Sequence, residues 1–427
     1  AGNAMIFYIG LWIVVLLAAM PVAFTLGFVG YVFLWAEGGS MISTPQRLFA
    51  ALDSVPLLAV PAFILAGEIM NRAGITTRLF NLASRLVGHL TGSLGHVSIV
   101  TNVIVAAMSG SALASAAGVG SLMIENMKRE GWHPGFAGAV NAAASTLGPL
   151  IPPSIIFVVY AVMANASVGR LLIAGIVPGL LTAAVLMIHV WLVARRHGYK
   201  THPRASLREL WAAFRKAFFA LLTPVIIVGG IIGGIMTATE AAAATSVYAL
   251  FLGLVVYRSL SWSELPDIFI NAALTSAIIG FIIATANLTS FILTRQRIPQ
   301  QITELLLSVS SDPMVILTLI CLLIIVLGCF MEGMALLLLT MPMLLPVTRS
   351  VGIDPVHFGV VVVLCLGIGL LTPPFGMTLF VVSRVGDIPF TQLARSIIPF
   401  ILVLITVVLM CFSEALVLFL PDLLFGS

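Results

Sequence analysis

The stretch Leu147-Gly148-Pro149-Leu150-Ile151-Pro152-Pro153-Ser154 puts glycine and paired proline inside an apolar run where a helix would otherwise continue. It returns 221 positions later as Ile368-Gly369-Leu370-Leu371-Thr372-Pro373-Pro374-Phe375. Paired prolines remove amide donors and free the carbonyl groups of the preceding turn. At membrane depth such backbone is tolerated only where protein or a water-filled cavity surrounds it. The two stretches therefore predict two broken helices around an internal site.

The rest of the chain is typical of a membrane protein. Of its 427 residues, 60% are hydrophobic and 8% are charged, against roughly 25% charged in a soluble domain. Apolar runs recur near 5–20, 22–36, 55–71, 171–194, 219–236, 240–257, 269–293 and 397–420. The net charge of +4 comes from basic residues in short connections, so it does not indicate a nucleic-acid surface. The sequence predicts an all-α polytopic membrane protein.

Further matches around the two breaks predict a duplicated unit. At an offset of 223, Met70-Asn71-Arg72 meets Leu293-Thr294-Arg295, and at an offset of 221 Ser109-Gly110-Ser111 falls beside Phe330-Met331-Glu332. Such internal symmetry is frequent in transporters. We predict a first repeat over 1–218, with a re-entrant hairpin at 97–124 and a broken helix at 135–163. The second repeat covers 219–427, with a hairpin at 314–348 and a broken helix at 356–383. Amphipathic arms are expected at 75–90 and 298–310.

Charge placement indicates that the two repeats have inverted topology. The connection Arg195–Lys216 carries seven basic residues, so the positive-inside rule assigns it to the cytoplasm. If the second hairpin enters from the side opposite to the first, fifteen of the 20 basic residues lie inside. The five that remain outside are Arg47, Arg170, Arg295, Arg297 and Arg349. This arrangement also predicts that both termini are outside.

Small and hydroxyl-bearing residues mark the middle of the first hairpin, at Ser109-Gly110-Ser111. A turn there leaves backbone carbonyls and helix-end amides unpaired beside hydroxyl groups, which suits a desolvated Na⁺ or an anion. Close packing of small residues between helices is the alternative explanation. Ser109 and Ser154, one on each interrupted element, are candidates to reach a ligand held between them.

Three charged positions are further candidates. Glu332, beside Gly333 at the second hairpin's turn, is a candidate for cation binding, because ionisable residues within membrane segments are functional by default. Arg295 and Arg297 end a span on the outer side, where they can face an anionic substrate or simply anchor the helix in the interface. Glu240, three residues after Thr237, predicts a helix capping box instead.

Several of these motifs, taken together and in this order, resemble the large membrane subunit of the TRAP (tripartite ATP-independent periplasmic) transporters. The resembling stretches are 61–71, Ser109-Gly110-Ser111-Ala112, 147–154, Thr239-Glu240-Ala241-Ala242-Ala243, Arg297-Ile298-Pro299-Gln300 and Leu371-Thr372-Pro373-Pro374. The resemblance implies a Na⁺-driven importer of a small carboxylate in the bacterial inner membrane, with an elevator fold. It also implies a small membrane subunit and a periplasmic substrate-binding protein as partners, within the lipid bilayer.

The resemblance further implies two sodium sites, each between a hairpin and its partner break. The residues that it assigns to the first site are Ser109, Gly148, Ile151 and Pro153. Those that it assigns to the second are Gly328, Glu332, Gly369, Thr372 and Phe375, several of them through backbone carbonyls.

Two other functions stay open as alternatives. A stand-alone sodium/dicarboxylate symporter of the same fold would need no binding protein. An intramembrane enzyme would need a paired acid–base or metal constellation, and the sequence offers neither this nor a nucleotide-binding motif. The sequence therefore favours a transporter over an enzyme.

Overall fold

The computed structural model describes residues 10, 11, 14, 15, 20–38 and 42–426, with the backbone alone for residues 22 and 107–109. Within these ranges the chain forms helices and no β-strand. The helices of the first half are α1 (Val22–Ala36), α2 (Ser43–Ala50), α3 (Ala59–Arg72), α4 (Ile75–Val87), α5 (Ser93–Ser109), α6 (Ala112–Arg129), α7 (Pro134–Ser145), α8 (Ile155–Ala164), α9 (Val168–Ala174) and α10 (Ile176–His197).

The second half continues the all-helical pattern. Its helices are α11 (Leu207–Ile232), α12 (Ala238–Phe251), α13 (Leu265–Arg295), α14 (Ile298–Val309), α15 (Pro313–Gly328), α16 (Gly333–Ser350), α17 (Pro355–Gly369), α18 (Met377–Val385), α19 (Phe390–Met410) and α20 (Glu414–Phe425). Single turns of other helix types cover Val55–Leu58, Leu252–Val256 and Trp262–Glu264. The junction expected between residues 218 and 219 falls inside α11.

Seven helical segments in the described ranges are long and apolar enough to cross a bilayer. They are Val55–Arg72, Val168–His197, Leu207–Ile232, Ala238–Val256, Trp262–Arg295, Gly333–Ser350 and Phe390–Met410. The chain is therefore a multi-pass membrane protein, as predicted. The expected span near 5–20 lies almost entirely outside the described residues.

One predicted span is wrong. The run near 397–420 is not a single helix, because α19 ends at Met410 and α20 begins at Glu414. The residues on both sides of this break are apolar, and hydropathy reports apolarity rather than the continuity of a helix. Ser413 adopts an extended backbone at the break and begins the new helix.

The predicted arms and the capping box are confirmed. The arms at 75–90 and 298–310 are the helices α4 and α14. At the start of α12, the Glu240 carboxylate accepts hydrogen bonds from the backbone N–H and the hydroxyl of Thr237, at 2.7 and 2.9 Å. The Thr237 hydroxyl in turn accepts the backbone N–H of Glu240, which completes the box.

Helix boundaries repeat along the chain at the offset seen in the sequence. The helix after each hairpin turn has 18 residues and begins at Ala112 in the first half and at Gly333 in the second, 221 positions later. The next helix begins at Pro134 and at Pro355, again 221 positions apart. The described helices therefore follow the same order in both halves from α5 to α8 and from α15 to α18, and their first residues keep this offset to within one residue.

The helices form two groups, which we call the frame (α1–α4 and α11–α14) and the hairpin unit (α5–α10 and α15–α20). Within the frame, the Ser246 hydroxyl donates to the carbonyl of Ala62 at 2.7 Å and joins α12 to α3. Within the hairpin unit, Tyr160 donates to the carbonyl of Pro355 at 2.7 Å and joins α8 to the start of α17. Every side-chain hydrogen bond or ion pair that the structure describes between two helices joins partners of the same group.

Candidate functional site

The first break, residues 146–154, separates α7 from α8 in the interior of the hairpin unit. Ser154 caps α8, because its hydroxyl accepts the backbone N–H of Phe157 at 3.2 Å. The same hydroxyl donates to the carbonyl of Pro149, and the side chain of Ser154 has no exposed surface. In this conformation Ser154 is therefore a buried helix cap.

The tip of the first hairpin touches the first break through backbone alone. Gly110 ends α5 with a left-handed φ of +58°, and Ser111 caps α6 by accepting the N–H of Ala114 at 3.4 Å. A β-carbon added at Gly148 would lie 2.8 Å from the carbonyl oxygen of Ser111. One added at Gly110 would lie 2.7 Å from the carbonyl oxygen of Pro153. Only glycine permits so close an approach.

Backbone carbonyls at the first break lack protein donors. Gly148, Ile151 and Pro153 are buried, yet none of the described N–H or O–H groups donates to their carbonyl oxygens. Buried carbonyl groups in native proteins are nearly always paired. These three positions are the ones that the family resemblance assigns to a sodium site, and hard cations prefer oxygen ligands.

The second break, residues 370–376, meets the tip of the second hairpin in the same way. A β-carbon added at Gly369 would lie 2.7 Å from Cα of Gly328. The carbonyl of Thr372 accepts the thiol of Cys329 at 3.1 Å, and its hydroxyl donates to the carbonyl of Ile368 at 2.7 Å. The glycines through which the two breaks contact their hairpin tips, Gly148 and Gly369, are therefore 221 residues apart, although their partners at the tips, Ser111 and Gly328, are 217 apart.

Glu332 stands where Ser111 stands in the first hairpin. Its carboxylate caps α16 by accepting the N–H groups of Met334 and Ala335, at 2.8 and 3.1 Å. A carboxylate at a helix N-terminus is stabilised by the helix dipole. Glu332 is thus held at the hairpin tip as the cap of α16.

The two breaks differ in their exposure. The first is buried throughout, whereas Phe375 in the second is 51% exposed and lies against Phe330, with ring centroids 5.5 Å apart. The second break therefore reaches the surface of the chain at this aromatic pair.

A cavity of about 220 Å³ separates the first hairpin tip from the frame. It is lined by Ser111 of the tip together with polar residues of the frame, which are Glu68, Asn71, Thr76 and Thr275. The predicted ligand Ser111 therefore faces open space, while Ser154 does not line this cavity. The side chain of Ser109 lies outside the part of the chain that the structure describes.

A second cavity, of about 430 Å³, lies between α13 of the frame and the second hairpin. Its polar lining comes from Asn287, Ser290 and Thr294 on α13 and from Arg349 on α16. Arg295 and Arg297 are exposed at the end of α13 and line neither cavity. The structure therefore does not bring these two arginines next to the hairpin tips.

Sequence reasoning missed Cys329 and the polar residues of α3 and α4. Cys329 is buried, and its thiol donates to the carbonyl of Thr372 at the second break. Its position directly after Gly328 was the available signal. Asn71 ends the motif at 61–71 and Thr76 follows it, and only the tertiary fold shows that they line the same cavity as Ser111.

Comparison of the sequence with known protein families identifies the family of this chain. The family model described as "Tripartite ATP-independent periplasmic transporter, DctM component" matches residues 9–416. The chain belongs to the DctM family. The resemblance predicted from the motifs is thereby confirmed.

Similar TRAP permeases are known from several bacteria. The chain is 46% identical over 417 residues to the sialic acid TRAP transporter large permease protein SiaM of Vibrio cholerae, covering 97% of this chain and 98% of SiaM. It is 39% identical over 384 residues to the C4-dicarboxylate TRAP transporter large permease protein DctM of Pseudomonas aeruginosa, covering 90% of each chain. These relatives are transport permeases rather than enzymes, in agreement with the prediction.

The fold is shared with a more distant transporter. The crystal structure of the Alcanivorax borkumensis YdaH transporter superposes with a TM-score of 0.61, covers 86% of each chain and is 13% identical. At this identity the likeness concerns the fold alone.

Proposed function

We propose that this DctM-family chain is the large membrane subunit of a Na⁺-coupled importer for a small organic acid in the bacterial inner membrane. The observation that carries the proposal is the pair of hairpin tips, each in backbone contact with a break through glycines that are 221 residues apart, Gly148 and Gly369. Two broken helices in equivalent places are a frequent mark of a transporter's binding site.

Sodium binding is supported at the first break by three buried carbonyls, at Gly148, Ile151 and Pro153, that accept no hydrogen bond from the groups that the structure describes. A dehydrated Na⁺ would satisfy them, with the Ser109 backbone at the hairpin tip as a further ligand. At the second break, the lone pairs of the Thr372 hydroxyl are free to bind a cation, because that hydroxyl only donates to Ile368. Gly328, Gly369, Phe375 and the charge of Glu332 would complete this second site.

An elevator movement is supported by the distribution of polar contacts. The described side-chain hydrogen bonds between two helices lie within the frame or within the hairpin unit, and two cavities of about 220 and 430 Å³ lie between the groups. Sliding of the hairpin unit along the frame would therefore break none of these bonds between helices. Inverted repeats would give the two end states equivalent packing.

The contacts between helix ends also support the inverted topology. Arg85 pairs with Glu209 at 3.3 Å at the end that the charge rule assigns to the cytoplasm. Arg170 pairs with Asp422 at the end assigned to the outside. Both pairs join residues that the topology puts on the same side.

We infer the class of substrate and the partner proteins from the relatives in the DctM family. The 46% identity to SiaM makes a sialic acid the first organic acid to test, with a C4-dicarboxylate as the second. We expect it to be delivered by a periplasmic substrate-binding protein and the chain to work with a small membrane subunit. The carboxylate would bind at Ser109, Gly110 and Ser111, with half-helix N-termini supplying positive potential, whereas the hydroxyl of Ser154 is occupied as a buried helix cap.

The decisive experiment is uptake of radiolabelled acid into proteoliposomes that contain this chain and the small subunit encoded with it. Uptake should require the acid-loaded binding protein outside and an inward Na⁺ gradient, and it should stop when K⁺ replaces Na⁺. Uptake that is equally fast with K⁺ would overturn sodium coupling. Uptake by this chain alone, from free acid, would establish the stand-alone symporter instead.

A further inference from the structure

A basic residue at the end of the first hairpin contacts the far end of the second broken helix. The ammonium group of Lys128, in the last turn of α6, donates to the carbonyl of Gly386 and, at 3.2 Å, to that of Asp387. These carbonyls follow the last residue of α18, where the helix dipole is negative and carbonyls lack helical partners. Lys128 therefore caps a half-helix of the other half of the chain.

The second hairpin makes the matching contact. The guanidinium of Arg349, in the last turn of α16, donates to the carbonyl of Ala164 at 2.7 Å. Ala164 is the last residue of α8, and Asn165 after it has a left-handed φ of 52°. Lys128 and Arg349 are 221 positions apart, which is the offset that also relates the two breaks. Neither contact was needed to build the sodium sites, so the repetition is an independent observation.

These contacts connect the two hairpin tips in a closed ring of four helices. Helix α8 runs from the first break to Ala164, whose carbonyl accepts the hydrogen bond from Arg349. Helix α16 then connects Arg349 to Glu332 at the second hairpin tip. Helix α18 leads from the second break to Gly386, whose carbonyl accepts the hydrogen bond from Lys128. Helix α6 then connects Lys128 to Ser111 at the first hairpin tip. Each basic residue thus ties the half-helix of one site to the hairpin of the other.

We propose that Lys128 and Arg349 are positioning residues that couple the two sodium sites of the proposed function. An ion bound at one break fixes the position of the half-helix that follows the break. Because the end of this half-helix is bonded to the basic residue of the opposite hairpin, the position of that hairpin is fixed as well. Coupling of this kind requires a difference in affinity at one site when the other is filled. Without the caps, each site fills independently.

The test makes two measurements on the purified transporter with its small subunit. The first is the rise in melting temperature with Na⁺ concentration, and the second is the rate of Na⁺-driven uptake as a function of Na⁺ concentration. In the wild type, the Na⁺ response should have a Hill coefficient above one. Lys128→Met and Arg349→Met should each lower this coefficient to about one and raise half-saturating Na⁺ by about 3- to 10-fold, as expected for the loss of a cation at a helix C-terminus. The conservative variants Lys128→Arg and Arg349→Lys should restore both values.

A double-mutant cycle separates coupling from ordinary stabilisation. Two independent caps far apart contribute additively. If both belong to one ring, the double variant should shift half-saturating Na⁺ no further than either single variant. Arg129→Met is the matched control, because Arg129 neighbours Lys128 but pairs only with the exposed Glu125. This control should keep the wild-type response.

The outcomes are distinct. Additive shifts, or a Hill coefficient that the single variants leave unchanged, would overturn the coupling while leaving sodium transport intact. A wild type that shows no Na⁺ response would overturn both this inference and the proposed function. A lower melting temperature with an unchanged Na⁺ dependence would overturn the coupling and show that the two caps only stabilise the folded protein. If the Met variants do not fold, Lys128→Gln and Arg349→Gln, which keep N–H donors without charge, give the same cycle.

Discussion

Replacing Gly148 with alanine tests the contact between the first break and the first hairpin tip. The new β-carbon would lie 2.8 Å from both the carbonyl carbon and the oxygen of Ser111, and 3.1 Å from the nitrogen of Ala112. Carbon atoms in good contact are roughly 3.5–4.0 Å apart. All of these neighbours are backbone atoms that cannot rotate away. The tip and the break must therefore separate by about 0.7 Å or more.

Such overpacking costs about 1–3 kcal/mol in well-packed interiors. If the ion binds between the tip and the break, this cost falls on the ion-bound state. The expected shift in half-saturating Na⁺ is about 5- to 150-fold, since about 1.4 kcal/mol corresponds to a factor of ten. The measurement is the Na⁺ dependence of acid uptake in proteoliposomes, with the Na⁺ dependence of melting temperature as a second reading.

The matched control is Gly229→Ala in the frame helix α11, where an added β-carbon meets nothing within 4 Å. That change should leave the Na⁺ response unaltered and stabilise the helix slightly, because alanine is the better helix former. The reasoning is refuted if Gly148→Ala lowers the melting temperature without Na⁺ but keeps the wild-type Na⁺ dependence. The contact would then be packing only.

Three further predictions address the second site, the substrate site and the topology. Thr372→Val removes a hydroxyl ligand and should raise half-saturating Na⁺ by about tenfold; an unchanged response in uptake assays excludes Thr372 as a ligand. Ser111→Ala removes a cap that lines the cavity of about 220 Å³, so we expect uptake to fall several-fold at matched expression, whereas wild-type rates would favour simple packing. A single cysteine at Gln296 should react with an impermeant reagent in intact spheroplasts and one at Ala205 should not; the opposite pattern contradicts the inverted topology.

Backbone-breaking residues made the core of the site predictable. Glycine and paired proline interrupt a helix and are recognisable within an apolar stretch, so both breaks and both hairpin turns could be located from the sequence. The arms and the capping box at Glu240 were predictable for a similar reason, since each depends on residues within a few positions of one another.

Contacts between distant residues were not predictable in the same way. The caps made by Lys128 and Arg349 depend on how the two halves pack, and in the sequence both residues are merely basic residues near a helix end. The substrate role expected for Arg295 depended on packing too, and the structure leaves that residue exposed at the end of α13. The break after Met410 was missed because its neighbours are as apolar as the helices around it.

The length of α13 relates the protein to the thickness of its bilayer. Its 31 residues extend about 46 Å at about 1.5 Å per residue. The hydrocarbon layer of a typical bilayer is only about 30 Å thick. The helix must therefore tilt strongly or project into water, and a change in lipid chain length alters this balance. Because α13 lines the cavity that also contains Arg349, we expect a thicker or thinner membrane to alter the width of that cavity by changing the tilt of α13.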